Sequence, residues 1–167
     1  HDISAGGMIT TLLEMCFANT EGGMEINLDK IKCDDIVKIL FAENPGVIIQ
    51  VADKHKSEVK KILDEAGVGY VKIGVPTEER HILVTKHDAT YQFGIDYLRD
   101  VWYSTSYLLD RKQSMNGCAK KRFENYKQQP LEFVFDKSFT GKLSQFGLNP
   151  DRRTPTGIKA AIIREKG

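Results

Sequence analysis

The chain has 167 residues, with 24 basic and 23 acidic side chains and a formal net charge of +1. That length suffices for one domain with a real hydrophobic core, or one domain plus a tail, and the balanced charge points no broad field toward nucleic acid or an anionic membrane surface. No stretch reaches the roughly 18 consecutive apolar residues of a membrane span, and no succession of basic, apolar and small residues reads as a signal peptide.

From the start, Met8, Leu12 and Cys16 recur beside Ile9, Leu13 and Phe17 with i, i+4 spacing, which predicts a helix from Gly7 to Asn19. Glu21-Gly22-Gly23 ends it, and Met24, Ile26 and Leu28 then alternate as in a strand. Asp34 and Asp35 stand where an N-cap belongs, ahead of a short helix through Ile36, Val37, Ile39, Leu40 and Phe41, and Asn44-Pro45-Gly46 turns the chain. The run from Val47 to Val51 is β-branched and apolar on both faces, as a central strand would be. Asp53 is expected to cap a third helix with the stripe Val59, Ile62, Leu63 and Ala66, closed by Gly67. With a strand at Tyr70 to Val75 this makes a strand-helix-strand unit.

Two further strands, Ile82 to Thr85 and Ala89 to Phe93, flank a tight turn at His87-Asp88, and a longer helix follows with Ile95, Leu98, Trp102, Thr105 and Leu109 on one face. After Ser114 the helical pattern turns polar; Leu131 to Phe135 reads as an isolated strand, and Ser138 to Gly157 as a linker. Ile158 to Arg164 is apolar again, like the first strand of a further domain. The expected organisation is a domain at 1–113, a helical extension and linker at 114–157, and a truncated domain at 158–167. The mixture of elements predicts an α+β fold, a layered mixed sheet with helices. The missing initiator Met predicts a piece of a longer chain.

The densest chemical constellation is the opening HDISAGG. A Gly pair at a helix start lets backbone N–H groups approach an anion, with the helix dipole favouring negative charge. Asp2 is a hard oxygen ligand suited to Mg²⁺, and Ser4 can donate to a phosphate. The competing reading is that Asp2 and Ser4 cap the helix and the glycines form a turn. Elsewhere the signals are weaker. His55, His81 and His87 share no metal-ligand spacing. Cys16, Cys33 and Cys118 form no CxxC pair and read as reduced, cytosolic thiols, and the surroundings of Cys118 lack the second Gly of a nucleophile elbow. Lys120 to Lys127 reads as a solvated face, Trp102 and Tyr103 as core packing, and Glu43 as a charge at a helix end.

The opening HDISAGGMITTLLEMCFAN resembles the His-Asp-x-Ser-Asp-Gly-Gly-Leu motif that begins the C-terminal domain of the aminoimidazole ribonucleotide synthetase superfamily. KILFAENPGVIIQV is similar to the superfamily's Leu-Phe-x-Glu segment and the strand after it, and YVKIGVP to its Gly-centred strand. LRDVWYSTSYLLDRKQSMNGCAKKRF looks like the segment that follows the second synthetase-like half in the large, single-chain phosphoribosylformylglycinamidine synthase family, and KAAIIREKG like the start of that family's glutaminase domain.

The resemblance implies part of an ATP-dependent, cytoplasmic ligase of purine synthesis, which converts formylglycinamide ribonucleotide, ATP and glutamine to formylglycinamidine ribonucleotide, ADP, phosphate and glutamate. By motif, Asp2 corresponds to a Mg²⁺ ligand, Ser4 to a nucleotide contact, and Gly6 and Gly7 to the phosphate-binding turn of an auxiliary ATP/ADP site. The other metal ligands would lie upstream, and the implied partners are the first synthetase-like half and the glutaminase domain. No catalytic residue carries over, so the piece alone is expected to be inactive. Ala5 departs from the pattern, standing where the second-half motif usually has Asp. The alternatives are another ATP-dependent synthetase of the superfamily and a non-catalytic scaffold domain.

Overall fold

A computed structural model describes residues 1–128, 133–149, 151, 153 and 157. The chain divides into a unit from His1 to Gln129 and a second from Pro130 to Gly167.

In the first unit the α+β expectation holds. A short strand β1 (Asp2–Ile3) leads into helix α1 (Gly7–Phe17), then strand β2 (Gly23–Asn27) and helix α2 (Ile36–Phe41). Next come β3 (Gly46–Val47), helix α3 (Lys56–Glu65), and strands β4 (Gly74–Thr77), β5 (His81–Lys86) and β6 (Ala89–Gly94). Helices α4 (Ile95–Gln113) and α5 (Cys118–Glu124) follow. The main sheet has the order β4-β2-β5-β6; β2 and β5 run parallel and the other neighbours antiparallel, so it is mixed.

The i, i+4 face of α1 buries Ile9, Leu12, Leu13 and Cys16 against Met24 and Ile26 of β2, Ile82 and Val84 of β5, and Ile39 and Leu40 of α2. Burial of such side chains contributes about 1.5–3 kcal/mol each, which makes this cluster the chief source of stability. Along β5 the alternation puts Ile82, Val84 and Lys86 inward. Lys86 tolerates this because its Nζ donates to the carbonyls of Leu28 (3.1 Å) and Ile31 (2.9 Å), so the buried ammonium is not left unpaired. Asp35 caps α2, its Oδ1 accepting from Val37 and Lys38 N–H. Gly67, at φ +66°, closes α3 with Val68 N–H reaching Leu63 C=O, as a Schellman motif does.

Three expectations fail here. The run 47–51 is not a central strand: only Gly46–Val47 is paired, with β1, and Val47 and Ile49 are exposed. Both edges of β2 are taken, one by β4 and the other by β5, so no central position is left. The strand-helix-strand unit therefore does not form, since β3 and β4 belong to different sheets and β4 begins only at Gly74. Asp53 does not cap α3 either; it sits in a 3₁₀ turn (Asp53–His55) and pairs with Lys56 Nζ at 2.7 Å. The stripe of α3 consequently has no fully buried residue, and Val59 and Leu63 line an open apolar groove of about 550 Å³ between α3 and the sheet.

Helix α5 is latched to α4. The Arg99 guanidinium is buried over the Tyr126 ring at 3.6 Å, close to Tyr103 and Phe123, and its Nη1 donates to Phe123 C=O at 3.0 Å. Arg122 meets the Asp110 carboxylate with two nitrogens, Nε to Oδ2 at 2.9 Å and Nη2 to Oδ1 at 2.6 Å. That fork and the Ser114 hydroxyl hold Asp110 below the usual carboxylate range.

In the second unit, Phe133–Phe135 carries no strand, and Leu131 and Glu132 of the expected strand lie outside the described residues. Phe135 stacks on Phe139 at 4.7 Å, and a 3₁₀ turn spans Leu143–Phe146. The strand expected at Ile158 to Arg164 lies outside the described residues as well.

Candidate functional site

The opening motif lies where β1 hands over to α1. The Asp2 and Ile3 backbone pairs with Val47 and Gly46, and Ile48 N–H donates to His1 C=O at 2.7 Å. Gly7 N–H turns back onto Ser4 C=O at 3.0 Å, and Gly6, at φ +84°, is the N-cap of α1. Both glycines are required by the backbone: Gly7 also has φ +73°, and a Cβ there would lie 2.7 Å from the Leu40 carbonyl oxygen. The glycine pair thus seats the start of α1 against the end of α2.

The helix-cap reading of Asp2 and Ser4 is not what the fold uses. No cap bond to α1 comes from the Asp2 or Ser4 side chain, and Asp2, Ser4 and Ala5 are all exposed. Among the described residues the Asp2 carboxylate has one ionic neighbour, His1 Nδ1 at 3.5 Å, while its backbone carbonyl accepts from Thr11 Oγ1 at 3.0 Å and faces His1 Nδ1 at 2.8 Å. A carboxylate and a hydroxyl therefore stand at the mouth of a helix N-terminus, with their side chains outside the cap.

Glu43 is the residue that reading the sequence undervalued. Its Oε1 accepts from Gly6 N–H at 2.9 Å, which places a carboxylate from beyond α2 on the glycine turn. The signal was present in the Leu-Phe-x-Glu resemblance, but a contact between residues 37 apart is not legible from local pattern.

Among the described residues no three His, Cys, Asp or Glu side chains come close enough to hold a metal ion. Mg²⁺ takes six oxygens in near-octahedral order. Asp2 by itself offers no more than a fraction of such a shell, and any ion there would need phosphate, water or further groups. The histidines stay apart: His55 lies near Glu58, His81 in β5, and His87 in the β5–β6 turn between Asp29 and Asp34. Cys16, Cys33 and Cys118 are free thiols, with burial pushing Cys16 up. Among the described residues no helix is long and apolar enough to cross a membrane.

Trp102 is half exposed rather than core, and its Nε1–H donates to Glu14 Oε1 at 3.0 Å while its ring tilts against Phe17. The apolar groove beside α3 includes neither Asp2 nor Ser4 nor Glu43 in its lining.

Residues 1–87 match the family described as AIR synthase related protein, C-terminal domain. The chain belongs to that family. Over its full length it is 32% identical to phosphoribosylformylglycinamidine synthase of Saccharomyces cerevisiae and 29% identical to the human protein of the same name. It is 30% identical to a probable phosphoribosylformylglycinamidine synthase, chloroplastic/mitochondrial, of Arabidopsis thaliana. The chain spans 13% of the yeast relative and 12% of each of the other two.

Proposed function

We propose that this chain is the C-terminal domain of the second synthetase-like half of a large, cytoplasmic phosphoribosylformylglycinamidine synthase, with residues 114–157 leading toward a glutaminase domain that begins near 158. The parent enzyme joins the amide nitrogen of glutamine to formylglycinamide ribonucleotide at the expense of ATP. In that reaction ATP activates the formamide oxygen, and ammonia from the glutaminase domain displaces it.

The role of this domain is to supply one wall of an auxiliary Mg²⁺–nucleotide site. Asp2 would hold the ion, Ser4 would contact the phosphates, and the turn at Gly6 and Gly7 would set their distance from the α1 N-terminus. The observation that carries this reading is the exposure of the Asp2 and Ser4 side chains beside an N-terminus whose cap uses neither. The full-length match to relatives named for this activity supports it. Ala5 is exposed and removes one carboxylate from the corner, which lessens repulsion of phosphate.

The test is nucleotide content. In the full-length enzyme, Asp2→Asn should lose tightly bound ADP and keep its fold, and the isolated chain should make no formylglycinamidine ribonucleotide. Unchanged nucleotide content in Asp2→Asn would favour a scaffold role, and turnover by the isolated chain would refute the division of labour.

A further inference from the structure

We infer that the outer face of α4 is the docking surface for the glutaminase domain of the parent enzyme, met by a part of that domain beyond residue 167; this rests on the function proposed above. Tyr97, Val101, Trp102, Leu108 and Leu109 are all exposed, from 47% at Leu108 to 72% at Tyr97, and Met115, just past the C-cap, is 83% exposed. At 3.6 residues per turn the five helical positions fall within an arc of about 140°. The opposite side is already occupied: Arg99, Tyr103, Tyr107 and Asp110 meet Phe123 and Arg122 of α5 and Tyr126 of the 3₁₀ turn after it. Among the described residues of α4 only Ile95 and Arg99 are buried, and Ile95 belongs to the main core. The core therefore holds α4 by its first turn and α5 holds its back, which leaves a continuous apolar front.

Single exposed apolar side chains are ordinary, but a contiguous patch of them marks an interaction site. Its size bears on the occupant. A stable homodimer buries about 800 Å² and about 20–30 residues on each partner, which six side chains on one helix do not supply. Interfaces between domains of one chain are smaller, about 600–1,500 Å², because the covalent tether supplies an effective concentration that free partners lack. Position along the chain bears on it too. The helix lies outside residues 1–87, the part that matches the AIR synthase related family, yet inside the full-length likeness to the phosphoribosylformylglycinamidine synthases. A face outside the synthetase module serves the domain that is not a synthetase module. Arg111 and Lys112 stand exposed at the C-terminal end of the face, so the complementary surface is an apolar strip with a carboxylate at one end.

The test uses the full-length enzyme. With Leu108→benzoylphenylalanine, a photoreactive replacement, illumination should join α4 to a peptide of the glutaminase domain, identified by mass spectrometry. Leu108→Glu and Val101→Glu should lower synthesis of formylglycinamidine ribonucleotide from glutamine by about tenfold, the size expected when an apolar anchor of an interface is lost. Synthesis from added ammonium should stay at the parent rate. In the isolated chain both variants should keep the parent Tm, because each side chain is already about half exposed there. A cross-link that lands on the first synthetase-like half or on a second copy overturns the proposal. So does a loss of ammonium-dependent synthesis equal to the glutamine-dependent loss, or no loss of either. A full-length protein that makes no formylglycinamidine ribonucleotide from either nitrogen source sinks the functional reading itself, and the docking partner falls with it.

Discussion

The Gly6 amide and the Glu43 carboxylate meet at 2.9 Å, so the glycine turn at the head of α1 is tied to the segment that follows α2. The bond gives a donor near the helix start an acidic partner, where the dipole favours one. It also puts a negative charge at the corner where a phosphate would approach.

Replacing Glu43 separates these effects. Glu43→Ala should lower stability by about 1 kcal/mol, read as a shift in the urea midpoint, while Glu43→Gln keeps an acceptor and should cost less. In the full-length enzyme, Glu43→Gln should leave ADP bound as tightly or more tightly. Weaker binding would mean that the carboxylate serves the ligand rather than the turn.

Gly7→Ala should be among the most damaging single-methyl changes in the chain. The left-handed backbone and the 2.7 Å approach to the Leu40 carbonyl both oppose a Cβ. A loss of about 2–4 kcal/mol is expected, visible as a clear drop in Tm. Ala5→Asp, at an exposed position, should change Tm little.

Asp96 makes stability fall in acid. Burial opposes its charge, but hydrogen bonds from Lys127, Arg80 and Tyr126 outweigh that and hold the carboxyl below its ordinary value. A depressed folded-state pKa contributes stability above the unfolded value, near pH 4, and loses it as pH falls through the folded value. Asp96→Asn should therefore be less stable than the parent at pH 7 and show a shallower decline below pH 4 in urea titrations. Equal slopes for the two proteins would exclude this carboxylate as a source of the acid limb.

Arg99→Lys should loosen α5 selectively. A lysine keeps the charge but loses the planar stack on Tyr126 and the fork that reaches Phe123 C=O. Destabilisation of about 1–2 kcal/mol is expected. Hydrogen exchange should quicken at Cys118–Glu124 and stay slow in β2 and β5; uniform quickening would place Arg99 in the global core instead.

How much was legible in the sequence follows from the range of each interaction. The i, i+4 face of α1, the Asp35 cap, the Gly67 stop and the hairpin at His87-Asp88 all rest on contacts within a few residues, and each formed as expected. The run at 47–51 misled because an apolar segment has no local mark of which edge it will find. Trp102 misled in the same way, since a helical stripe says which residues share a face but not what covers it.

By itself the sequence determined the α+β class, the positions of the helices and the HDISAGG motif that marks the family. Only the tertiary structure decided that Asp2 and Ser4 stay out of the helix cap, that Glu43 holds the glycine turn, and that Trp102 reaches Glu14. The reason is physical. Periodicity and capping are written in neighbouring residues, whereas these bonds join groups 37 and 88 positions apart, brought together when the shared core of α1, α2 and the sheet forms.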